Sequence, residues 1–452
     1  MARLVTNAAF EGLLLAAGYG NAHAAFARQL NHAGRNQGTW RYDAASVYWW
    51  LRGRRPGEHV QAAMAETLTR KLGRSVVVAE LGFGAADNIG MYNYPASVDG
   101  AIDNAEQLWT RLAKQLNPQV SGAFDSGKAL EAALGWRYDL PDETMSRSGR
   151  QQVTSADVQS LYALVDHFTE LDRRHGSGSR HTRALMADFL ARQVAPMLHG
   201  THTDAVGREL MRAAATLCGQ LAFMSYDAGE HAAAQQHVTV ALRLAKAADD
   251  RLYGAHLLAN LATQAVHLGH SRDAARLAEA AIDGAGRAPA AVLVRLHATA
   301  ATAYGQSGER RGCQLALAKA ERALDRAGAA SGPRWVTYFS PAHLAGAALR
   351  CLGDLQLYSQ ALDHAHDALT LASENARTRA LHTALIAVTH ARVGDTDAAC
   401  IWGRKLAQHA SGIHSARVRQ RVRELTATLS PQQASPQVNE VLHGLATLPT
   451  AA

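Results

Sequence analysis

Small side chains recur through the second half of the chain at a nearly regular interval. They stand at Ala234, Ala274, Cys313, Ala361 and Ala399, separated by 40, 39, 48 and 38 residues. A small residue at a fixed place in a helical hairpin lets its two helices, and the next hairpin, approach closely. Since one such hairpin cannot bury its apolar face alone, the spacing predicts a stack of hairpins with one continuous core.

Two of these copies carry a full ladder of three alanines, whereas two others hold a larger residue at the middle place. The full ladders are Ala274, Ala278 and Ala281, and Ala361, Ala365 and Ala368. An alanine-rich chain supplies some ladder by chance, but the near-regular spacing favours a true repeat. The longer interval of 48 residues predicts an insertion, AGAASGPRWVTYFSP, at residues 327–341.

The rest of the composition also favours helices. Ala and Leu, which lose little on entering a helix, are abundant, and Pro is 11 of 452 residues. No apolar run reaches the ~18 residues that a membrane span needs, and Glu11 and Gly12 interrupt the apolar stretch near the N-terminus. The four cysteines are far apart, as is typical of reduced, buried thiols. We therefore expect a cytoplasmic protein without membrane contact.

Positive charge is concentrated at the start of the chain. Residues 1–75 hold ten basic and four acidic side chains, a net of +6, whereas the whole chain carries +7. The other 377 residues therefore share a net charge of +1. A small basic module joined to a nearly neutral body indicates a polyanionic partner such as DNA, although an ordinary solvated surface also remains open.

The basic module is predicted to hold four short helices, at residues 6–17, 22–31, 44–52 and about 59–72. Thr6 or Asn7 and then Asp43 are the expected N-caps of the first and third helices. On the third helix Val47 and Trp50 should point into the core. A third helix that follows the second and carries exposed aromatic and arginine side chains is typical of a helix-turn-helix DNA reader.

This module resembles the Xre/lambda-repressor family of helix-turn-helix proteins. Phe26-Ala27 stands where that family has Leu-Ala, and SVYWWLRG ends in Arg52-Gly53. The connection from Asn31 to Asp43 is longer than the usual tight turn, and the base-facing positions lack the side chains that form bidentate contacts with bases. Thymine-methyl contacts, shape readout and weak specificity remain alternatives. The expected DNA-binding residues are Arg41, Tyr42, Ala44, Ala45, Ser46, Trp49, Arg52, Arg54 and Arg55.

The repeat resembles the tetratricopeptide repeat, with Gly269 at its inter-helix glycine and Asn260-Leu261-Ala262 at its Asn-Leu-Gly positions. The resemblance implies a right-handed superhelix with a concave groove for a peptide or protein segment. Arginines in that groove are suited to gripping a carboxylate. The groove positions are Tyr226, Asp227, His256, Thr263, His267, Arg295, Gln306, Arg350 and Asp354.

The whole chain resembles actinobacterial regulators that join an Xre-type helix-turn-helix to C-terminal tetratricopeptide repeats. The segments that carry this resemblance are RYDAASVYWWLRGRRP, LGRSVVVAELGF, AGEHAAAQQHVTVALRLA and PRWVTYFSPAHLAGAALRCLGDL. The architecture is also similar to peptide-pheromone-sensing regulators, which are dimers whose repeats bind a peptide. The resemblance implies a homodimer that binds double-stranded DNA and responds to a peptide or protein effector.

We therefore expect an all-α fold, an N-terminal helix-turn-helix domain followed by a tetratricopeptide-like right-handed α-solenoid. The expected boundaries are residues 1–82 for the DNA-binding domain, 83–152 for a Gly-rich connector with linking helices, and 153–452 for the repeats. No nucleophile motif, phosphate-binding loop or metal-ligand set stands in the sequence, so we expect no enzyme and no cofactor. A repeat scaffold with a degenerate helix-turn-helix is the alternative, and a hydrophobic metabolite is an alternative occupant of the groove.

Overall fold

Helices make up the regular secondary structure of the described chain, apart from one isolated bridge between Gln152 and Thr201. The computed structural model describes residues 7–33, 40–52, 54, 56, 58–72, 76, 78–82, 93–114, 123–140, 149–176, 179–327, 332–373 and 375–448. These residues form two compact units, Met1–Met91 and Tyr92–Ala452. The all-α fold expected from the sequence is confirmed.

The first unit contains the four expected helices, and side-chain caps set the beginning of two of them. Asn7 accepts a hydrogen bond from the Phe10 backbone N–H, which satisfies one of the free donors at the start of the first helix. Val47 and Trp50 are buried as predicted. The helices are α1 (Ala8–Ala16), α2 (His23–Ala33), α3 (Ala44–Leu51) and α4 (Glu58–Leu72).

The second unit begins with helices that precede the repeats and pack against them. The indole of Trp136 fits between two later helices because Gly254 and Gly284 have no side chain, and a Cβ at either glycine would lie within 2.3 Å of the ring. The described helices of the expected connector, residues 83–152, thus belong to the second unit. The helices that precede the repeats are α5 (Val98–Ala113) and α6 (Ser126–Tyr138), within the connector range, and then α7 (Ser155–His175), α8 (Arg180–Phe189) and, after a π-turn, α9 (Ala195–His199).

Five antiparallel helix pairs follow, and each pair turns at a residue with positive φ. Four of these turn residues are glycines and the fifth is Gln356, with φ of 60°. Each stands five residues before one of the small residues that recur in the sequence, and all five small residues are at most 1% exposed. The repeating unit predicted from the sequence is therefore a helical hairpin.

The fourth pair departs from the others. Its second helix is broken at His364, and the 48-residue interval before it holds the predicted insertion, which forms a short 3-10 turn at Arg334–Val336. The pairs are α10 (Asp204–Ala228) with α11 (His231–Ala247), α12 (Arg251–His267) with α13 (Ser271–Ala285), α14 (Ala290–Ser307) with α15 (Arg310–Arg326), α16 (Pro341–Asp354) with α17 (Tyr358–Asp363) and α18 (Ala365–Ala368), and α19 (Ala376–Val393) with α20 (Thr396–Ala410); α21 (Ala416–Leu429) and α22 (Pro436–Ala446) follow.

The two ends of this array meet through a buried ion-pair network. Arg377 on α19 donates hydrogen bonds to both carboxylate oxygens of Asp172 on α7, at 2.7 and 2.9 Å, and to Asp227 on α10 at 3.3 Å. Ser415, just before α21, donates to Asp227 at 2.8 Å. The four residues are at most 7% exposed. This closing network, defined by Asp172, Asp227, Arg377 and Ser415, joins elements that are 150–205 residues apart in the chain.

Candidate functional site

The first candidate site is the surface of α3 in the N-terminal unit. Asp43 begins the helix with a capping box, since its carboxylate accepts from the Ser46 backbone N–H at 2.8 Å and the Ser46 side chain accepts from the Asp43 N–H. These hydrogen bonds, first of all the one from the Ser46 backbone, hold the pKa of Asp43 below its usual value. The start of α3 is thus fixed by local chemistry.

A second device fixes α3 relative to α2. The Asn31 side chain donates to the Tyr42 carbonyl at 2.7 Å and accepts from the Tyr42 N–H at 3.0 Å. The Tyr42 ring packs edge-on against buried Trp50 and against Trp40. The end of the long connection is therefore held to the core, a role of Asn31 that sequence reasoning missed.

The expected DNA-binding residues divide into three groups in this structure. Arg41, Ala44, Ala45, Trp49, Arg52 and Arg54 are exposed, with Trp49 at 49%. The Tyr42 ring lies against the core, and the Ser46 hydroxyl is engaged in the capping box. Arg55 lies outside the described residues.

The exposed face of α3 is therefore cationic and aromatic rather than rich in amides. The Arg52 guanidinium lies over the Tyr48 ring, 4.7 Å from its centroid, and Tyr48 packs edge-on against Trp49. A guanidinium held on a ring in this way remains free to contact phosphate, while the exposed indole offers an apolar surface. The face is suited to phosphate and apolar groove contacts more than to bidentate base recognition.

The second candidate site is a cavity of about 1290 Å³ on the inner side of the repeat array. Its wall is formed by the first helix of each pair together with α7, α21 and the insertion, and the volume exceeds the roughly 300–1,000 Å³ usual for small-molecule pockets. Five of the nine groove positions predicted from the sequence stand in this one wall: His256, Thr263, His267, Arg295 and Arg350.

The other four predicted groove positions stand outside this wall: Tyr226, Asp227, Gln306 and Asp354. Asp227 is fully buried in the closing network. Its carboxylate also lies 3.5 Å from the Arg417 guanidinium. Tyr226 is 3% exposed; its hydroxyl donates to the Thr263 carbonyl, and Arg417 lies over its ring. Tyr226 and Asp227 therefore support the wall from its outer side. Their position on the first helix did not show that the closing network would bury them.

The insertion supplies an aromatic part of the wall that sequence reasoning did not assign to the site. The Trp335 ring lies 4.7 Å from the ring of His256, and Tyr338 and Phe339 also line the cavity. Arg334 reaches across to Asp166 on α7, at 2.7 Å. A signal existed: three aromatic residues within PRWVTYFSP in a chain that is 6% aromatic.

Burial and neighbouring cations keep His256 and His267 in the cavity wall neutral. Burial, followed by the charge of Arg295, lowers the pKa of His256 to about 3. Burial and then Arg417, with smaller effects of other cations, lower the pKa of His267 to about 3. At neutral pH the positive charge of the wall therefore resides on its arginines.

Burial opposes the charge of Arg377, but Asp172 and Asp227 outweigh it and raise the pKa of its guanidinium. Among the residues that the structure describes, no group of three or more His, Cys, Asp and Glu side chains is arranged to hold a metal ion. In the same residues, no helix is both long and apolar enough to pass through a bilayer.

Comparison with known protein families gives one result. A family model described as the SP15 N-terminal domain matches residues 11–84, which lie within the first unit. The search of curated proteins found no match.

Proposed function

We propose that this chain is a DNA-binding transcriptional regulator, active in the cytoplasm as a homodimer, whose repeat domain binds an effector. The observation that carries the proposal is the exposed face of α3. A capped helix, held to the core through Asn31 and Tyr42, presents Trp49 and Arg52 at the surface of a module that holds nearly all of the net charge. The cavity of the second unit is the place proposed for the effector.

Two double charge reversals in the full chain test the DNA-binding part. Arg52→Glu with Arg54→Glu changes the face of α3, and Arg70→Glu with Lys71→Glu makes the same change in charge at the exposed end of α4. We expect the first pair to abolish salt-sensitive binding to the protein's own promoter region and the second to weaken it far less. Equal losses of DNA binding in the two variants would mean that the protein binds DNA through its net charge alone. If neither the parent chain nor the control variant binds DNA, the proposal is refuted.

A repeat scaffold with a degenerate helix-turn-helix is the second candidate. It is favoured by the chemistry of the α3 face, where Ala44 and Ala45 are small and the Ser46 hydroxyl is engaged by Asp43. Under that function, the α3 charge reversal leaves capture of a protein partner unchanged. The same two double variants, tested for DNA and for partner binding, therefore separate the two functions.

A further inference from the structure

Arg295 on α14 is a buried cation without a buried anion. Its side chain donates to the Tyr338 hydroxyl at 3.1 Å, to the Asn260 side-chain oxygen at 3.1 Å and to the Thr299 hydroxyl. All three acceptors are neutral, and among the described residues no carboxylate lies within ion-pair distance. Arg295 is 8% exposed, so water does little to stabilise its charge.

The other arginines of the cavity wall differ in this respect. Each of them has a carboxylate within ion-pair distance: Asp172 and Asp227 for Arg377, Asp250 for Arg212, Asp166 for Arg334, Asp354 for Arg350, Asp227 for Arg417 and Glu424 for Arg421. A guanidinium has five N–H donors, and the three bonds of Arg295 leave two of them for another acceptor. Among the described arginines of the wall, Arg295 is thus the one that has no carboxylate partner and still has donors to offer to an anion.

Hydrogen bonds run from Arg295 to Asn260 and on to His256, and they leave a second donor without an acceptor, the N–H of His256. Because Arg295 only donates, the Asn260 oxygen faces it, and the Asn260 amide nitrogen therefore donates to His256 Nε2, at 3.3 Å. The neutral His256 ring must then carry its proton on Nδ1, which is buried and has no partner among the described residues. Two neighbouring residues of one wall therefore offer donors without acceptors.

Aromatic rings surround this donor group. The Phe339 centroid lies 5.7 Å from the Arg295 guanidinium carbon, and Trp335 packs on His256. Rings next to a cation and donors are suited to a ligand with an apolar, flat body and one charged end.

We infer that the cavity binds a small organic anion, with a carboxylate or phosphate on Arg295 and an aromatic or unsaturated body beside Trp335 and Phe339. The inference rests on the effector-binding part of the proposed function and names the chemical class of the effector. It does not depend on DNA binding, so the two are tested separately.

A pair of fluorescent probes that differ in charge tests it on the full chain. The probes are 8-anilinonaphthalene-1-sulfonate and its neutral counterpart N-phenyl-1-naphthylamine. We expect saturable binding of one sulfonate probe per chain. Arg295→Met should weaken it roughly 10- to 100-fold, the effect of a charge-assisted hydrogen-bonded contact, and change binding of the neutral probe less than about threefold.

The matched control is Arg276→Gln, which removes an exposed arginine that lies outside the cavity and is paired with Asp273 at 3.2 Å. It should bind both probes as the parent chain does. Arg295→Lys, which keeps the charge but loses the planar fork, should give an intermediate loss and serves if the Met variant does not fold. Equal effects of Arg295→Met on the two probes would overturn the inference, and so would equal effects of the Arg295 and Arg276 variants on the sulfonate probe.

Displacement distinguishes the two kinds of anion. Benzoate and phenyl phosphate are titrated against the bound sulfonate probe. Displacement by benzoate alone assigns a carboxylate, and displacement by phenyl phosphate alone assigns a phosphate. If neither displaces the probe while neutral benzyl alcohol does, the site selects apolar bodies and the inference is wrong, whatever the DNA-binding assays show.

Discussion

At the scale of single residues, the turn of the fourth repeat carries a conformational cost that the other turns avoid. Gln356 has φ of 60°, where the equivalent residues of the other pairs are glycines. A side chain in the left-handed region is disfavoured by contacts with its own backbone. Gln356→Gly should therefore stabilise the array by about 0.5–1 kcal/mol, measured as a shift of the urea unfolding midpoint.

Gly308→Ala is the reverse experiment at the third turn. Its φ is 80°, and nothing lies within 4 Å of an added Cβ, so the substitution tests conformation without a steric clash. We expect a loss of about 1 kcal/mol. Opposite signs for the two variants support the account, and a loss at both positions contradicts it.

Buried histidines predict that the protein loses stability in mild acid. Burial lowers the pKa of His237 to about 4, of His256 to about 3 and of His382 to about 4. Below pH 6.5 the unfolded chain binds protons that the folded chain excludes, so stability rises with pH. As the pH falls from 6.5 to the pKa of the folded state, each histidine should lower the free energy of unfolding by about 1.4 kcal/mol per pH unit.

The His382→Asn variant isolates the contribution of one of these histidines to the pH dependence of stability. The ring Nδ1–H lies 2.6 Å from the Ala368 carbonyl, and an asparagine amide can also donate there without taking up a proton. Urea midpoints at pH 7.5, 6.5 and 5.5 should fall less steeply for this variant than for the parent chain. Identical slopes would show that His382 does not contribute.

Of the nine groove positions predicted from residue types on the first helices, five line the cavity, because polar side chains there face inward. Residue types could not separate Arg295, which faces neutral acceptors, from Asp227, which is held by Arg377 and Ser415. Those partners lie 150 and 188 residues away in the chain, so no local pattern announces them.

At the scale of elements, the start of α3 depends on one side chain. Asp43→Ala removes the capping box, whereas Asp43→Asn keeps an acceptor at the N-cap. Amide hydrogen exchange of residues 44–51 in the full chain should become several-fold faster for the alanine variant and change little for the asparagine variant. Equal exchange in both variants would mean that tertiary packing, not the cap, holds this helix.

Most helices could be predicted because Ala-rich apolar periodicity and Gly turns are local signals. Asn7 and Asp43, for example, are N-caps as expected. The path of the insertion could not be predicted, since Trp335 and Arg334 take their positions from contacts with His256 and Asp166, far away in sequence. The length of the repeat interval revealed the insertion but not that it enters the cavity wall.

At the scale of the whole molecule, the closing network ties α7 and the first helix pair to the last one. Arg377→Met leaves the buried carboxylates of Asp172 and Asp227 without their main partner, which should cost about 3–5 kcal/mol. Arg392→Met breaks the more exposed pair with Glu424 and should cost about 1 kcal/mol or less. The two variants are compared by their denaturant midpoints and by hydrogen exchange in α7 and α19. Similar losses of stability in both would show that the closing network contributes no more than an ordinary surface ion pair.

Whether the basic N-terminal module reads DNA is decided by selecting genomic fragments with the purified full chain. At near-physiological salt the account predicts enrichment of a limited set of fragments that share a roughly palindromic motif, as a dimeric reader requires. The enrichment should disappear with Arg52→Glu and Arg54→Glu. Diffuse enrichment that disappears for every fragment as salt is added would contradict DNA reading by this module. The repeat array would then be the functional part of the chain.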